Sequence, residues 1–187
     1  MMLRVGAFVL CVLVTAPVVA QQYPNRPVRM LIPFPVGSAA DIIARAMEPQ
    51  MRERLGQALV IDNRAGAGGN IAAELAAKAA PDGYTVMLAT IGTHAINHSL
   101  YSKVSFHPVR DFTPVVYIGE SPNVLVTTNR LAATTLREFI ALVKTKPGQF
   151  NYGSSGAGTT VHLSGELFNS MAGVKPSTCL IRAPSKR

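Results

Sequence analysis

The residues of this chain best suited to chemistry are small and polar, and they lie where apolar runs break off. Pro33-Phe-Pro-Val-Gly-Ser38 follows the apolar run 28–32 and precedes Ile42, Ile43, Ala46 and Met47, which recur at helical spacing. This is a strand-to-helix loop with Ser38 or Asp41 as its N-cap. The first N–H groups of a helix have no intrahelical partner and sit at the positive end of its dipole, so such a loop can hold an anion. An ordinary βα turn that binds nothing is the alternative. Gly153-Ser-Ser-Gly-Ala-Gly-Thr-Thr160 repeats the arrangement in the second half, with the hydroxyls of Ser154, Ser155, Thr159 and Thr160 at the start of a helix. Flexible N–H groups and hydroxyls together suit a carboxylate or phosphate. A solvated loop that merely caps its helix is the alternative there. Two such loops would converge if the halves face each other across a cleft, a common place for a small-ligand site.

Other chemistries fail on residue type or spacing. In Gly66-Ala-Gly-Gly69 the third glycine of a dinucleotide loop falls at Ile71. Gly153-Ser-Ser-Gly-Ala157 has alanine where a hydrolase elbow needs glycine. His94 and His98 are four apart, but the segment reads as a loop and supplies no glutamate, so a metal pair is not expected. His162, just inside a helix, is expected to pack or to hydrogen-bond its loop. No nucleophile, base and orienting group can be assembled, so neither an enzyme nor a cofactor is expected.

The elements that must position these loops follow the same order twice. A strand over 28–32 leads to a helix over 41–55 that Gly56 stops, and a strand over 58–62 leads through the loop 63–70 to an Ala-rich helix over 71–80. A third strand spans 85–89, and Thr90–Asn97 reads as a loop at its carboxyl end. Repeated strand, loop and helix predict βαβ crossovers and mostly parallel sheets. Two apolar runs, 115–118 and 124–128, read as strands split by a Gly- and Pro-containing turn, and a domain crossing is placed there. Thr134 or Thr135 caps a helix that Pro147-Gly148 halts, and 150–152 is a short strand.

Charge and cysteine set the wider class. Of the 187 residues 48% are hydrophobic and 15% charged, the balance of a globular chain. The net charge of +8 suggests nucleic acid, yet Arg4, Lys175, Arg182, Lys186 and Arg187 sit at the two ends. Without them, 13 basic face 10 acidic residues. That is too diffuse for a nucleic-acid footprint, and no aromatics alternate with the basic residues. Residues 1–20 have the basic start, apolar run and small-residue end of an export signal cleaved near Ala20, which places the mature chain outside the cytoplasm. Cys11 lies in that signal and Cys179 in the tail, leaving the body with no disulfide.

Ordered motifs then make a family visible. Tyr23-Pro-Asn-Arg-Pro-Val-Arg-Met-Leu-Ile-Pro-Phe-Pro, Asp41-Ile-Ile-Ala-Arg45, Asn63-Arg-Ala-Gly-Ala-Gly-Gly-Asn70 and Pro81-Asp-Gly-Tyr-Thr85 come first. Gly92-Thr-His-Ala-Ile-Asn97, Asp111-Phe-Thr-Pro-Val115, Lys146-Pro-Gly148, Asn151-Tyr-Gly-Ser-Ser-Gly156 and Gly165-Glu-Leu-Phe168 follow. Over residues 23–174 the chain resembles the Bug-type extracytoplasmic solute receptors, substrate-binding proteins of tripartite tricarboxylate transporters. The resemblance implies a two-domain α/β architecture of the type II periplasmic-binding-protein kind, monomeric, that closes on a small carboxylate in the periplasm. Partners would be membrane permease subunits or, in an alternative reading, a sensor kinase. The lobes would be 21–120 and 121–174, with 175–187 an atypical basic tail. By the same resemblance, the ligand would meet Pro35, Val36, Gly37, Ser38, Ala39 and Asp41 of the first loop and Ser154, Ser155, Gly156, Gly158 and Thr159 of the second. Thr90 would lie beside them, Phe34 would line the pocket, and Asp41 would mainly cap its helix.

Two departures carry expectations of their own. The family usually has Gly-Gly where this chain has Gly37-Ser38, and a positive φ at Ser38 would cost about 1 kcal/mol or more. The chain also leaves the family pattern after Val174, well before such receptors end. A frameshifted, truncated product, incomplete at its C-terminus, is therefore expected to be marginally stable and to bind ligand weakly or not at all. A non-functional remnant is the corresponding alternative.

Overall fold

The run Val28–Ile32 is apolar except at Arg29, so either face of it can be buried, and it becomes the central strand of a three-stranded sheet. In the computed structural model, which describes residues 22–180, this strand β1 lies between β2 (Leu59–Asn63) and β3 (Thr85–Met87), both parallel to it. Val28 pairs with Leu59 and Ile32 with Asn63 on one side, and Met30 pairs with Val86 on the other.

Helix α1 (Ala39–Leu55) connects β1 to β2, and α2 (Asn70–Ala77) connects β2 to β3. Val28, Met30 and Ile32, spaced two apart on one face of β1, form a core with Ala40 and Ala44 of α1 and with Leu59. Leu31, on the opposite face, is fully buried, and α2 packs on β1 and β3 with Ala72 and Ala73 buried. Because all three strands are parallel, the segments after them emerge at one edge of the sheet.

The second half forms a smaller unit of the same kind. Helix α3 (Asn97–Leu100) closes the first half, and α4 (Leu136–Thr145) opens the second. Thr135 accepts the Glu138 N–H while Glu138 reaches back to the Thr135 N–H, so α4 starts on a capping box, as the threonine pair suggests. Strand β4 (Asn151–Ser154), helix α5 (Thr160–Ala172) and strand β5 (Ser177–Leu180) then make a parallel strand–helix–strand unit.

Two expectations need correction. Residues 115–118 and 124–128 form no strand, because no described strand lies alongside to pair with them. The segment after β3 is not all loop: Gly92–Ile96 forms a π-helical turn that runs into α3, made possible by the close packing of buried Gly92 and Thr93. Within the expected tail, Ser177–Leu180 joins the second sheet through β4. The expected export signal, 1–20, and the end of the tail lie outside the described residues.

Candidate functional site

The first loop is built around a buried carboxylate. Ser38 (φ −69°) caps α1 by accepting the Asp41 N–H at 3.3 Å, and Gly37 takes the positive φ, +84°. The serine therefore carries no backbone strain, and the expected cost at position 38 does not arise. Asp41 is 1% exposed, and its oxygens accept from the Gly37 N–H at 2.8 Å, Arg45 Nε at 3.0 Å and Asn63 Nδ2 at 3.0 Å. The Arg45 hydrogen bond, with those from Gly37 and Asn63, outweighs burial and holds the Asp41 carboxyl below the usual carboxylate range. Asn63 also donates to the Phe34 carbonyl at 3.0 Å, tying the end of β2 to the loop after β1. The Asp41 carboxylate is thus occupied in fixing the loop, while Val36 and Ala39 are exposed and Pro35 and Ser38 half-buried.

The third segment packs against the first through glycine. A Cβ on Gly69 would stand 2.6 Å from Thr93 Cγ2 and 3.0 Å from Pro33 Cβ, so the three residues meet with no room for a side chain. Thr90 starts the π-helical turn, its carbonyl accepting the His94 N–H at 3.0 Å and its N–H donating to Thr93 Oγ1 at 3.1 Å. Buried Asn97 donates to the Gly68 carbonyl at 3.1 Å and to Asn70 Oδ1 at 2.6 Å. These contacts join the segments after β1, β2 and β3 into one cluster.

The second-half loop docks on that cluster. Tyr101 Oη donates to the Ala157 carbonyl at 2.8 Å, and burial pushes the Tyr101 phenol above its ordinary pKa. A Cβ on Gly92 would meet Thr90 Oγ1 at 3.5 Å and the Gly158 carbonyl at 3.6 Å, and one on Gly158 would meet Asn97 Oδ1 at 3.0 Å. Gly158 and the first-half segments around Thr90 and Asn97 are therefore neighbours. Thr159 caps α5, donating to the Gly156 carbonyl at 2.7 Å and accepting the His162 N–H at 3.3 Å. Ser154 is buried, with its Oγ 3.3 Å from Thr178 Oγ1 on β5. Of the hydroxyls singled out in the sequence, those of Ser154 and Thr159 are engaged within the protein, while Ser155 is exposed. Phe34 packs partly buried against the first core.

Two surface concavities, of about 410 and 300 Å³, lie along α1 instead, lined by Pro49, Arg52 and Glu53 and by Arg45, Glu48 and Ile61 respectively. Neither gathers the loops. What the loop cluster offers an anion is main-chain N–H groups at the starts of α1 and α5. A hydrogen bond to a charged group contributes about 1.5–3 kcal/mol and a helix dipole about 0.3–1 kcal/mol, so the N–H contacts outweigh the field.

Sequence reasoning missed the side chains that hold the cluster together: Asn63, Asn70, Thr93, Asn97 and Tyr101. Asparagine reads as loop, and only its burial reveals a structural role. His94 and His98, now on a helical segment, pack against Phe106, and the His94 ring lies edge-on to Phe112 with centroids 4.5 Å apart. Burial lowers the His94 pKa, so protonation favours the unfolded chain. Its stabilising contribution is complete above the unfolded value, about 6.5, and is lost as pH falls from there towards the folded value. His94→Asn is expected to shrink the drop in melting temperature between pH 7.5 and pH 5.5; an unchanged drop would contradict this.

Residues 43–184 match the family described as tripartite tricarboxylate transporter family receptor. The chain is 38% identical to protein BugT of Bordetella pertussis over 170 residues, which are 90% of this chain and 52% of BugT. Among solved structures, R. palustris Rpa4515 with adipate is 40% identical at a TM-score of 0.83, covering 86% of this chain and 54% of that one. MatC of Rhodopseudomonas palustris with bound malate is 34% identical at a TM-score of 0.79, covering 85% and 54%. The chain thus spans about half the length of the curated relatives it matches.

Proposed function

This chain belongs to the tripartite tricarboxylate transporter receptor family, and on that premise we propose that it is an extracytoplasmic receptor for a small carboxylate, exported by a signal cleaved near Ala20. The carboxylate lies against the starts of α1 and α5, its oxygens taking the N–H groups of Val36 and Ala39, since those of Gly37 and Ser38 are spent on Asp41 and the Pro35 carbonyl, and N–H groups around Ser155–Gly158. Thr90 stands beside it, and the bound ligand passes to membrane permease subunits. The observation that carries the reading is the docking of Ala157 and Gly158 on Tyr101 and Gly92, which brings the second-half loop to the edge where the first-half loops emerge. The adipate of Rpa4515 and the malate of MatC support a dicarboxylate as the ligand class. Asp41 and Asn63 act through the loop and touch no ligand, since their polar groups are turned to each other and to the loop backbone.

Titration calorimetry of the full chain against adipate, malate and citrate, with neutral adipamide as control, tests this. Weak but saturable heat is expected from at least one carboxylate and none from adipamide. A ligand at a hundred times its Kd should add about 2.7 kcal/mol to stability, seen as a raised melting temperature. Silence from all three acids, or equal binding of adipamide, would overturn it.

A further inference from the structure

The hydroxyl of Thr90 stands where the second-half loop meets the first, since a Cβ on Gly92 would meet both Thr90 Oγ1, at 3.5 Å, and the Gly158 carbonyl, at 3.6 Å. Behind it lies Thr93, fully buried, with four polar groups around its own hydroxyl. Thr93 Oγ1 accepts the Thr90 N–H at 3.1 Å, and it lies 3.1 Å from the Thr90 carbonyl and 3.4 Å from Thr90 Oγ1. His94 Nδ1 is nearest, at 2.8 Å. The Thr93 N–H donates to Thr90 Oγ1 at 3.4 Å, and the His94 ring is packed against Phe106 and Phe112.

A hydroxyl has one hydrogen and two lone pairs, so Thr93 cannot serve all four neighbours at once. The Thr90 N–H takes one lone pair in every arrangement. If His94 Nδ1 is bare, the Thr93 hydrogen goes to it, and the second lone pair draws the Thr90 hydroxyl hydrogen inward. Thr90 then offers the site only a lone pair, which repels a carboxylate. If Nδ1 carries the proton, it donates to Thr93 and fills that second lone pair, while the Thr93 hydrogen goes to the Thr90 carbonyl. The Thr90 hydrogen then has no acceptor in the group and is free to donate outward. This second arrangement makes its inner contacts at 2.8 and 3.1 Å and forgoes the 3.4 Å one, which is long for a bond between hydroxyls. Burial keeps the His94 ring neutral at pH 7.5, so a single proton must choose between its two nitrogens. We propose that His94 is a positioning residue whose Nδ1–H, acting through Thr93, turns the Thr90 hydroxyl outward as a donor to an ionised carboxylate. The inference rests on the carboxylate reading above and adds to it the group that orients one of the ligand's donors.

Nitrogen-15 spectra of the ligand-free full chain at pH 7.5, with the His94 signals assigned by their loss in His94→Asn, should show the proton on Nδ1. Calorimetry with whichever of adipate, malate and citrate binds the wild type tightest then reads the effect on the site. Leucine keeps an apolar contact with Phe106 and Phe112 but has no donor, so His94→Leu should weaken binding about tenfold, the worth of one hydrogen bond to a charged acceptor. Asparagine packs less well there but brings an amide N–H towards Thr93, so His94→Asn should bind close to the wild type. A purely structural role predicts the reverse order. In a Thr90→Val background, His94→Leu should have no further effect on affinity. A bare Nδ1, binding by His94→Leu as tight as by His94→Asn, or an undiminished effect in the Thr90→Val background would overturn the proposal and leave the carboxylate reading standing. Silence of the wild type toward all three acids would overturn that reading, and this proposal with it.

Discussion

Asp41→Ala is expected to lower the unfolding free energy at pH 7 by about 3 kcal/mol, the scale set by removing one partner of a buried ion pair. Arg45 is half exposed and can turn to water, which reduces the loss. The Gly37 N–H and the Asn63 amide cannot do so as easily, and each left unpaired costs about 1–3 kcal/mol. Asp41→Asn separates charge from shape: it keeps an acceptor for one donor but presents an amide to Arg45. The pH dependence follows from the lowered folded-state pKa. The carboxylate's contribution is fully present above the unfolded value, about 3.9, and is lost as pH falls through the folded value. Urea unfolding of the wild type and Asp41→Asn should therefore show a gap at pH 7 that narrows below pH 4. A gap unchanged down to pH 2.5 would mean that the charge on Asp41 does not hold the loop.

Much of this site is legible from residue order alone, because its elements are marked by local chemistry. Ser38 or Asp41 before an apolar-periodic segment, Gly56 after it, and Thr134 or Thr135 ahead of another each name a helix end, and the structure puts the caps at Ser38, Gly56 and Thr135. The apolar run 28–32 likewise announces a strand buried on both faces. What is not visible depends on contacts distant in sequence. Nothing in Gly92-Thr-His-Ala-Ile96 has helical periodicity, and the turn packs there against Gly69, which lacks a side chain that would fill the space of Thr93. Nor does residue type alone separate hydroxyls that could meet a ligand from those already engaged. Ser154 and Ser155 are adjacent and alike, yet one is turned to Thr178 and the other is exposed. The runs 115–118 and 124–128 read as strands for a sound reason, their composition, but a strand exists only where a neighbour pairs with it.

Gly69→Val should cost about 2–5 kcal/mol, adding a left-handed backbone penalty of about 1–2 to an overpacking penalty of about 1–3. The backbone at Gly69 has φ +94°, and the new Cβ would press on the Cγ2 of fully buried Thr93 and on the rigid ring of Pro33. Neither neighbour can swing aside as an exposed side chain would, so relief must come from the main chain, by parting the loop after β1 from the segment after β3. That movement would shift the start of α1 relative to Thr90 and so weaken carboxylate binding beyond what lost stability explains. Gly37→Ala is the matched control: its φ is +84°, but a Cβ there meets nothing within 4 Å. It carries the backbone penalty alone, about 1 kcal/mol. Thermal unfolding and calorimetry on both variants separate the two costs. If Gly69→Val is no worse than Gly37→Ala in melting temperature and affinity, close packing at Gly69 does not set the distance between the loops, and the cluster is held by its hydrogen bonds alone.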